Sequence, residues 1–221
     1  MPRVAVCLSG CGMLDGSEVH EAVLTLLALD QAGAEILCCA PDISQTSVMN
    51  HLTAKPADEK RDVLVESARI ARGRIKNLAE VHANNIDALI FPGGQGSAKN
   101  LSSFAIQGPD CRVNADVERL IGEMLAAGKP IGAICIAPAM LARVLGKQGI
   151  RARLTIGSSA QTAAAINAMG GEHIECACTD AVADETHRIV STPAYILAKG
   201  PAEMYEGVRK LVDQIMKWTQ G

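Results

Sequence analysis

Aromatic residues are scarce in this chain: two Phe, two Tyr and one Trp make up 2% of its 221 residues. The core must therefore be aliphatic, and the ring platforms on which single-stranded nucleic acids stack are missing. An excess of basic charge is missing too. The formal net charge is -3, which offers no electrostatic attraction to DNA, RNA or an anionic membrane. No apolar run approaches the ~18 residues of a membrane span, and no basic-then-apolar N-terminal segment ends in a small-residue cleavage site. A cytoplasmic chain without nucleic-acid or membrane partners is the expectation. Eight cysteines are present, but no C-x2-C knuckle accompanies histidines at finger spacing, so neither a metal site nor a disulfide framework is indicated. Segments such as VAVCLSG and EILCCA read instead as apolar stretches carrying reduced thiols.

What is present is a globular composition, 48% hydrophobic and 20% charged, at a length that one α/β domain spanning residues 1–221 accommodates. VAVCLSG is an apolar run, GCGMLDGS a Gly-rich turn, and Val19, Ala22, Val23, Leu26 and Leu27 then recur at helical spacing. Ser17 is placed to cap that helix and Gly33 to end it. AEILCCAP follows as a second strand, completing a strand–helix–strand unit of a parallel sheet. The polar segment DISQTSVMNHLTAKPADEK and the helical RDVLVESARIARG form an excursion from the sheet. IDALIFPGG resumes it as a strand buried on both faces. A helix from about Asn114 to Ala127, closed by Gly128, leads to KPIGAICIAPAML. Downstream, LTIGSS reads as a strand end before the helix AQTAAAINAMGG, IECAC and RIVSTPAYIL as a β-rich segment, and AEMYEGVRKLVDQIMKWT as an amphipathic helix. The predicted fold is a doubly wound, mostly parallel sheet flanked by helices.

In such sheets ligands gather beyond the carboxyl ends of strands. Cys135 stands at one such end, after PIGAI, where the change of period to IAPAML demands a sharp turn. That resembles a strand-to-helix nucleophile elbow, in which the following backbone N–H groups face a developing negative charge and the helix N-terminus favours thiolate. A small buried thiol is the bland alternative. PGGQGSAKN stands at a second end. Its adjacent glycines, Gly93 and Gly94, let backbone N–H groups approach a ligand, and Asn100 closes the segment as a candidate substrate contact. The Gly-x4-Gly-Lys-Ser/Thr spacing of a phosphate loop is absent. At a third, GSEVHEAV puts Glu18 and Glu21 on one side of a first helical turn, where either could exchange a proton with a bound carbonyl compound.

SGCGMLDGSEVHEAVLTLLAL, MNHLT, FPGGQGSAKNLSSFA, ICIAPAMLA, LTIG and STPAY together resemble the ThiJ/PfpI branch of the class I glutamine amidotransferase-like superfamily, with its flavodoxin-like fold. Within it they are similar to the ElbB type, the isoprenoid-biosynthesis or lycopene-enhancing proteins described as glyoxalases. The resemblance implies Cys135 as nucleophile, Glu21 as its acidic partner, and Gly94 with the N–H of Ile136 as the oxyanion hole. Glu18 and Gly93 lie beside them. It also implies a homodimer. The chain departs from the amidotransferase pattern because none of its five histidines, 20, 51, 82, 173 and 187, immediately follows the elbow. His173 and His20 are outside candidates for the missing imidazole.

The expected function is glyoxalase chemistry without metal or cofactor, taking a small aldehyde and water to a 2-hydroxy acid. A thiol amidohydrolase or deglycase using the same cysteine, and a cysteine oxidation sensor without turnover, are the alternatives.

Overall fold

In the computed structural model, which describes residues 1–220, the chain opens with strand β1 (Arg3–Cys7), helix α1 (Val19–Gln31) and strand β2 (Glu35–Ala40). The excursion contains the hairpin β3 (Met49–Asn50) and β4 (Lys55–Pro56), helix α2 (Val63–Ile70) and strand β5 (Ile75–Asn77). Strand β6 (Ala88–Phe91), short helices α3 (Gln95–Lys99) and α4 (Phe104–Gln107), and α5 (Ala115–Ala126) come next. They lead to β7 (Ile131–Ile134) and α6 (Ala137–Lys147). The last part holds β8 (Arg153–Leu154), α7 (Ala160–Ala168), β9 (Glu172–His173), β10 (Val182–Asp184), β11 (Ile189–Thr192) and α8 (Pro201–Trp218).

Seven strands form one sheet in the order β10-β11-β7-β6-β1-β2-β5, parallel throughout except where β10 runs antiparallel along β11. The chain winds outward from β1 to β2 and β5, then returns to pair β6 on the other side of β1. The space between β1 and β6 is therefore a topological switch point, where the loops leaving neighbouring strands part and open a crevice. Side-chain alternation splits the core into two layers. Val4, Val6, Ile90 and Val190 face α1, α2 and α8, whereas Ala5, Cys7, Leu89, Phe91 and Ile131 face α5, α6 and α7. β6 and β7 are buried at every residue, which is why they read as continuous apolar runs. Gly132 lets α8 lie close on the sheet, because a Cβ there would come 3.0 Å from Leu211 Cδ2 and 3.2 Å from Ile90 Cγ1.

Two local expectations are corrected. The cap of α1 is Glu18, whose side chain accepts from Glu21 N at 2.7 Å. The Ser17 hydroxyl instead accepts from Ser9 N at 2.9 Å, tying the loop back to the end of β1. LTIGSS does follow a strand end, β8 closing at Leu154 before α7, and β8 pairs with β9 in a two-stranded parallel ribbon. IECAC makes no strand of the main sheet; main-sheet pairing resumes at β10. Among the described residues no helix is long and apolar enough to cross a membrane.

Candidate active site

Four strand ends meet at the switch point. After β7 the chain enters Cys135 at φ 61°, a left-handed conformation costly for any residue with a Cβ, and turns at once into α6. The turn is held by Cys135 N, which donates to Thr192 O at the end of β11 at 2.9 Å. The strain of about 1–3 kcal/mol places the thiol above the sheet at the start of a helix. Gly94, at φ 96°, aims its N–H at the Cys135 sulfur from the end of β6, and Ile136 N–H does so from the elbow itself. Both amides therefore converge on the one sulfur. A side chain at Gly94 is excluded, since a Cβ would come 2.3 Å from Glu18 N and 2.4 Å from Gly16 O.

Glu21 is wholly buried on the first turn of α1. Its Oε2 accepts from Gly93 N at 3.0 Å and its Oε1 from Tyr195 N at 3.2 Å, and its carboxyl hydrogen-bonds the Cys135 side chain. Gly93 is what allows this closeness. A Cβ on it would lie 2.4 Å from Cys135 Cβ and 2.5 Å from Glu21 Oε2, which puts those two atoms within about 5 Å of each other. Burial, followed by the charge of Glu18, pushes Glu21 up from 4.5 to about 8, so at neutral pH it is mainly the neutral acid and can donate to sulfur. Burial and then the Glu21 charge push the Cys135 thiol up as well, against the downward pull of the two amides. The expectation of a helix-stabilised thiolate is thus corrected: the site stores its protons on sulfur and carboxyl, because desolvation outweighs the partial charge of one helix end.

The pocket above the half-buried Cys135 encloses about 180 Å³, the liquid volume of about six waters at ~30 Å³ each. Glu18, Gly94, Cys135, Ile136 and Tyr195 line it, with Met13, Gln95 and Ile196 completing the wall. A compact compound fits it. A larger cavity of about 670 Å³ between α4 and α7 is lined by residues such as Phe104, Pro109 and Ala165, with no titratable side chain. Chemistry points to the smaller one.

Asn100 does not reach the pocket, which corrects its reading as a substrate contact. Its Nδ2 donates to Ser9 O and Asp15 O at 2.9 and 2.8 Å, and its Oδ1 accepts from Thr46 N at 2.9 Å. It is a staple between loops. Gly93 also lies behind the pocket wall, acting through Glu21. His173 sits on β9 away from the pocket, its imidazole lowered mainly by burial and its Nε2 accepting from Ile156 N at 3.4 Å. His20 is near the site, its Nδ1 2.8 Å from the Tyr195 hydroxyl. Tyr195 escapes sequence reading, although it follows the carboxyl end of β11 and the same strand-end rule that finds Cys135 would have found it. MNHLT braces a loop: His51 Nε2 accepts from Leu14 N at 3.2 Å and Met49 N donates to Asp15 Oδ2 at 2.7 Å, pinning the segment that carries Met13.

Sheet order and elbow together define an α/β protein of the cysteine-elbow class. The DJ-1/PfpI family profile matches residues 6–214, and the chain belongs to that family. It is 44% identical to the ES1 protein homolog, mitochondrial, of Rattus norvegicus over 98% of this chain and 84% of that protein. It is also 44% identical to the human glutamine amidotransferase-like class 1 domain-containing protein 3, mitochondrial, over 98% of this chain and 83% of that protein. The crystal structure of an isoprenoid biosynthesis protein with amidotransferase-like domain from Ehrlichia chaffeensis superposes with a TM-score of 0.90 at 35% identity, covering 98% of this chain and 99% of that one. The cytoplasmic expectation is corrected by the two curated relatives, both mitochondrial by name. It rested on the look of the N-terminal residues, which does not decide location.

Proposed function

We propose that this protein is a cofactor-independent glyoxalase of the ElbB type, converting methylglyoxal or glyoxal and water to lactate or glycolate. The observation that carries the reading is the Cys135–Glu21 pair beneath a small pocket that suits a compact substrate. The Cys135 S–H adds across the aldehyde: a C–S bond forms, and the carbonyl π pair moves to an oxygen that the Gly94 and Ile136 N–H groups hold and the thiol proton neutralises. Glu21, within about 5 Å of Cys135 Cβ, is near enough to move a proton between the carbon bonded to sulfur and its neighbour through an enediol. The thioester so formed is cleaved by water, restoring the thiol and releasing the 2-hydroxy acid. Glu18, on the pocket wall, contacts the substrate.

The sensor alternative is disfavoured, because fast oxidation needs a thiolate and this thiol is pushed up. The protein also acts as a homodimer in this reading. Val19, Val23 and Leu27 form an exposed apolar stripe along α1, beside the site, which a second copy would cover.

The test compares wild type with Cys135→Ser on methylglyoxal, without glutathione or metal, following lactate by NMR. Lactate from wild type alone is the expected result. Equal lactate from both removes Cys135 from the mechanism, and none from either removes the glyoxalase reading.

A further inference from the structure

The elbow carries no histidine, yet the proposed isomerisation needs two proton carriers. When the C1 hydrogen of the hemithioacetal leaves, the C2 carbonyl oxygen must gain a proton. Glu21 serves the carbons. Both its oxygens already accept a backbone N–H, and it is wholly buried, so a second group must supply a route to solvent.

The opposite wall supplies that route. Tyr195 lines the pocket and is fixed at both ends, its N–H to Glu21 Oε1 at 3.2 Å and its hydroxyl to His20 Nδ1 at 2.8 Å. The two rings are 5.8 Å apart between centroids. Ala194, immediately before Tyr195, is held at φ 44°, so the backbone is strained just where it presents Tyr195 to Glu21. Such strain persists where surrounding contacts dictate the conformation, and the Tyr195 N–H to Glu21 is one of the contacts there. His20 is exposed on α1, in reach of solvent.

We propose that Tyr195 is the second acid/base group of this site, acting on the substrate's C2 oxygen, and that His20 positions its hydroxyl and relays its proton to solvent. This deepens the glyoxalase reading and rests on it. Glu21, in the minority of molecules in which it is ionised at neutral pH, takes the C1 hydrogen as the C1=C2 bond forms. The C2 carbonyl π pair moves to its oxygen, which takes the Tyr195 O–H proton. The phenol is refilled from His20 Nδ1–H, and His20 Nε2 takes a proton from water. Glu21 then returns its proton to C2, the C1 hydroxyl loses its proton to the same relay, and the thioester is left. Burial, then the charges of Glu18 and Glu21, push the phenol up, which keeps it protonated and able to donate.

The test is Tyr195→Phe and His20→Gln with methylglyoxal. Two quantities are read: capture of Cys135 as the hemithioacetal, from protection against alkylation, and lactate by NMR. Tyr195→Phe should keep wild-type capture and lose lactate by about 100-fold or more, within the ~10²–10⁴-fold range of general acid–base catalysis. His20→Gln should lose about tenfold, restored by added imidazole, a rescue that a structural role would not produce. Wild-type lactate rates from Tyr195→Phe overturn the relay and leave the glyoxalase intact. Loss of capture and lactate together makes Tyr195 a structural support and also overturns the relay, as does failure of imidazole to rescue His20→Gln. No lactate from wild type sinks the glyoxalase and the relay with it.

Discussion

Replacing Glu21 with Gln tests where the site keeps its protons. In the folded protein Glu21 is pushed up to about 8 from an ordinary 4.5, chiefly by burial. The folded state therefore holds a proton that the unfolded chain has released throughout that window. Stability must then be fully present below about 4.5 and fall as pH rises towards 8, with a slope near 1.36 kcal/mol per pH unit for one proton. Across the window the loss is about 5 kcal/mol, undiminished by solvent screening because the carboxyl is wholly buried. The Cys135 thiol stays protonated over the same range and adds nothing. The Glu21→Gln variant has no titrating proton at this position, so its stability profile should lack this slope. The new amide nitrogen must face one of the two N–H donors, Gly93 or Tyr195, which lowers stability at every pH by about 1–3 kcal/mol, the cost of a buried unsatisfied group. The offset and the slope are thus separable. Urea unfolding from pH 4.5 to 9 measures both; parallel profiles for wild type and variant would refute the reasoning, because Glu21 would then be ionised in the neutral fold and unable to donate to Cys135.

Three further outcomes follow from the same geometry. Alkylation of Cys135 by iodoacetamide at pH 7 should be slower than that of a free cysteine with a pKa of ~8.5, read by mass spectrometry of the Cys135 peptide, and a faster rate would restore the sensor reading. Gly93→Ala forces apart Cys135 and Glu21 and should cost about 1–3 kcal/mol in urea unfolding, with lactate formation falling further than Cys135 accessibility alone explains. Asn100→Ala strips Ser9 O and Asp15 O of a buried donor and Thr46 N of its acceptor, so unfolding should be easier by about 3 kcal/mol, while turnover per folded molecule at saturating methylglyoxal stays near wild type. A selective rise in KM would return Asn100 to the substrate.

Much of the architecture is legible in the amino-acid order. Runs such as ALIF and IGAI announce strands buried on both faces, and the apolar spacing of Val19 to Leu27 announces a helix between two parallel strands. The strand-end rule then leads to Cys135, Gly94 and Glu18, all of which line the pocket. The pairing of β8 with β9 escapes sequence reading because two residues carry no period. Asn100 is misread because a polar side chain beside a glycine turn looks the same whether it faces a ligand or two loop carbonyls.

By itself, then, the sequence determined the elements, their layers and the residues that end each strand, since these depend on local periodicity and turn chemistry. Which of those ends face one another was decided by the tertiary structure. It alone brings Tyr195 to Glu21 across 174 positions of chain and leaves His20 beside the phenol. It also sets the protonation of the site, because the field at Cys135 depends on how much water is excluded around it and not on the residue that happens to follow it in the chain.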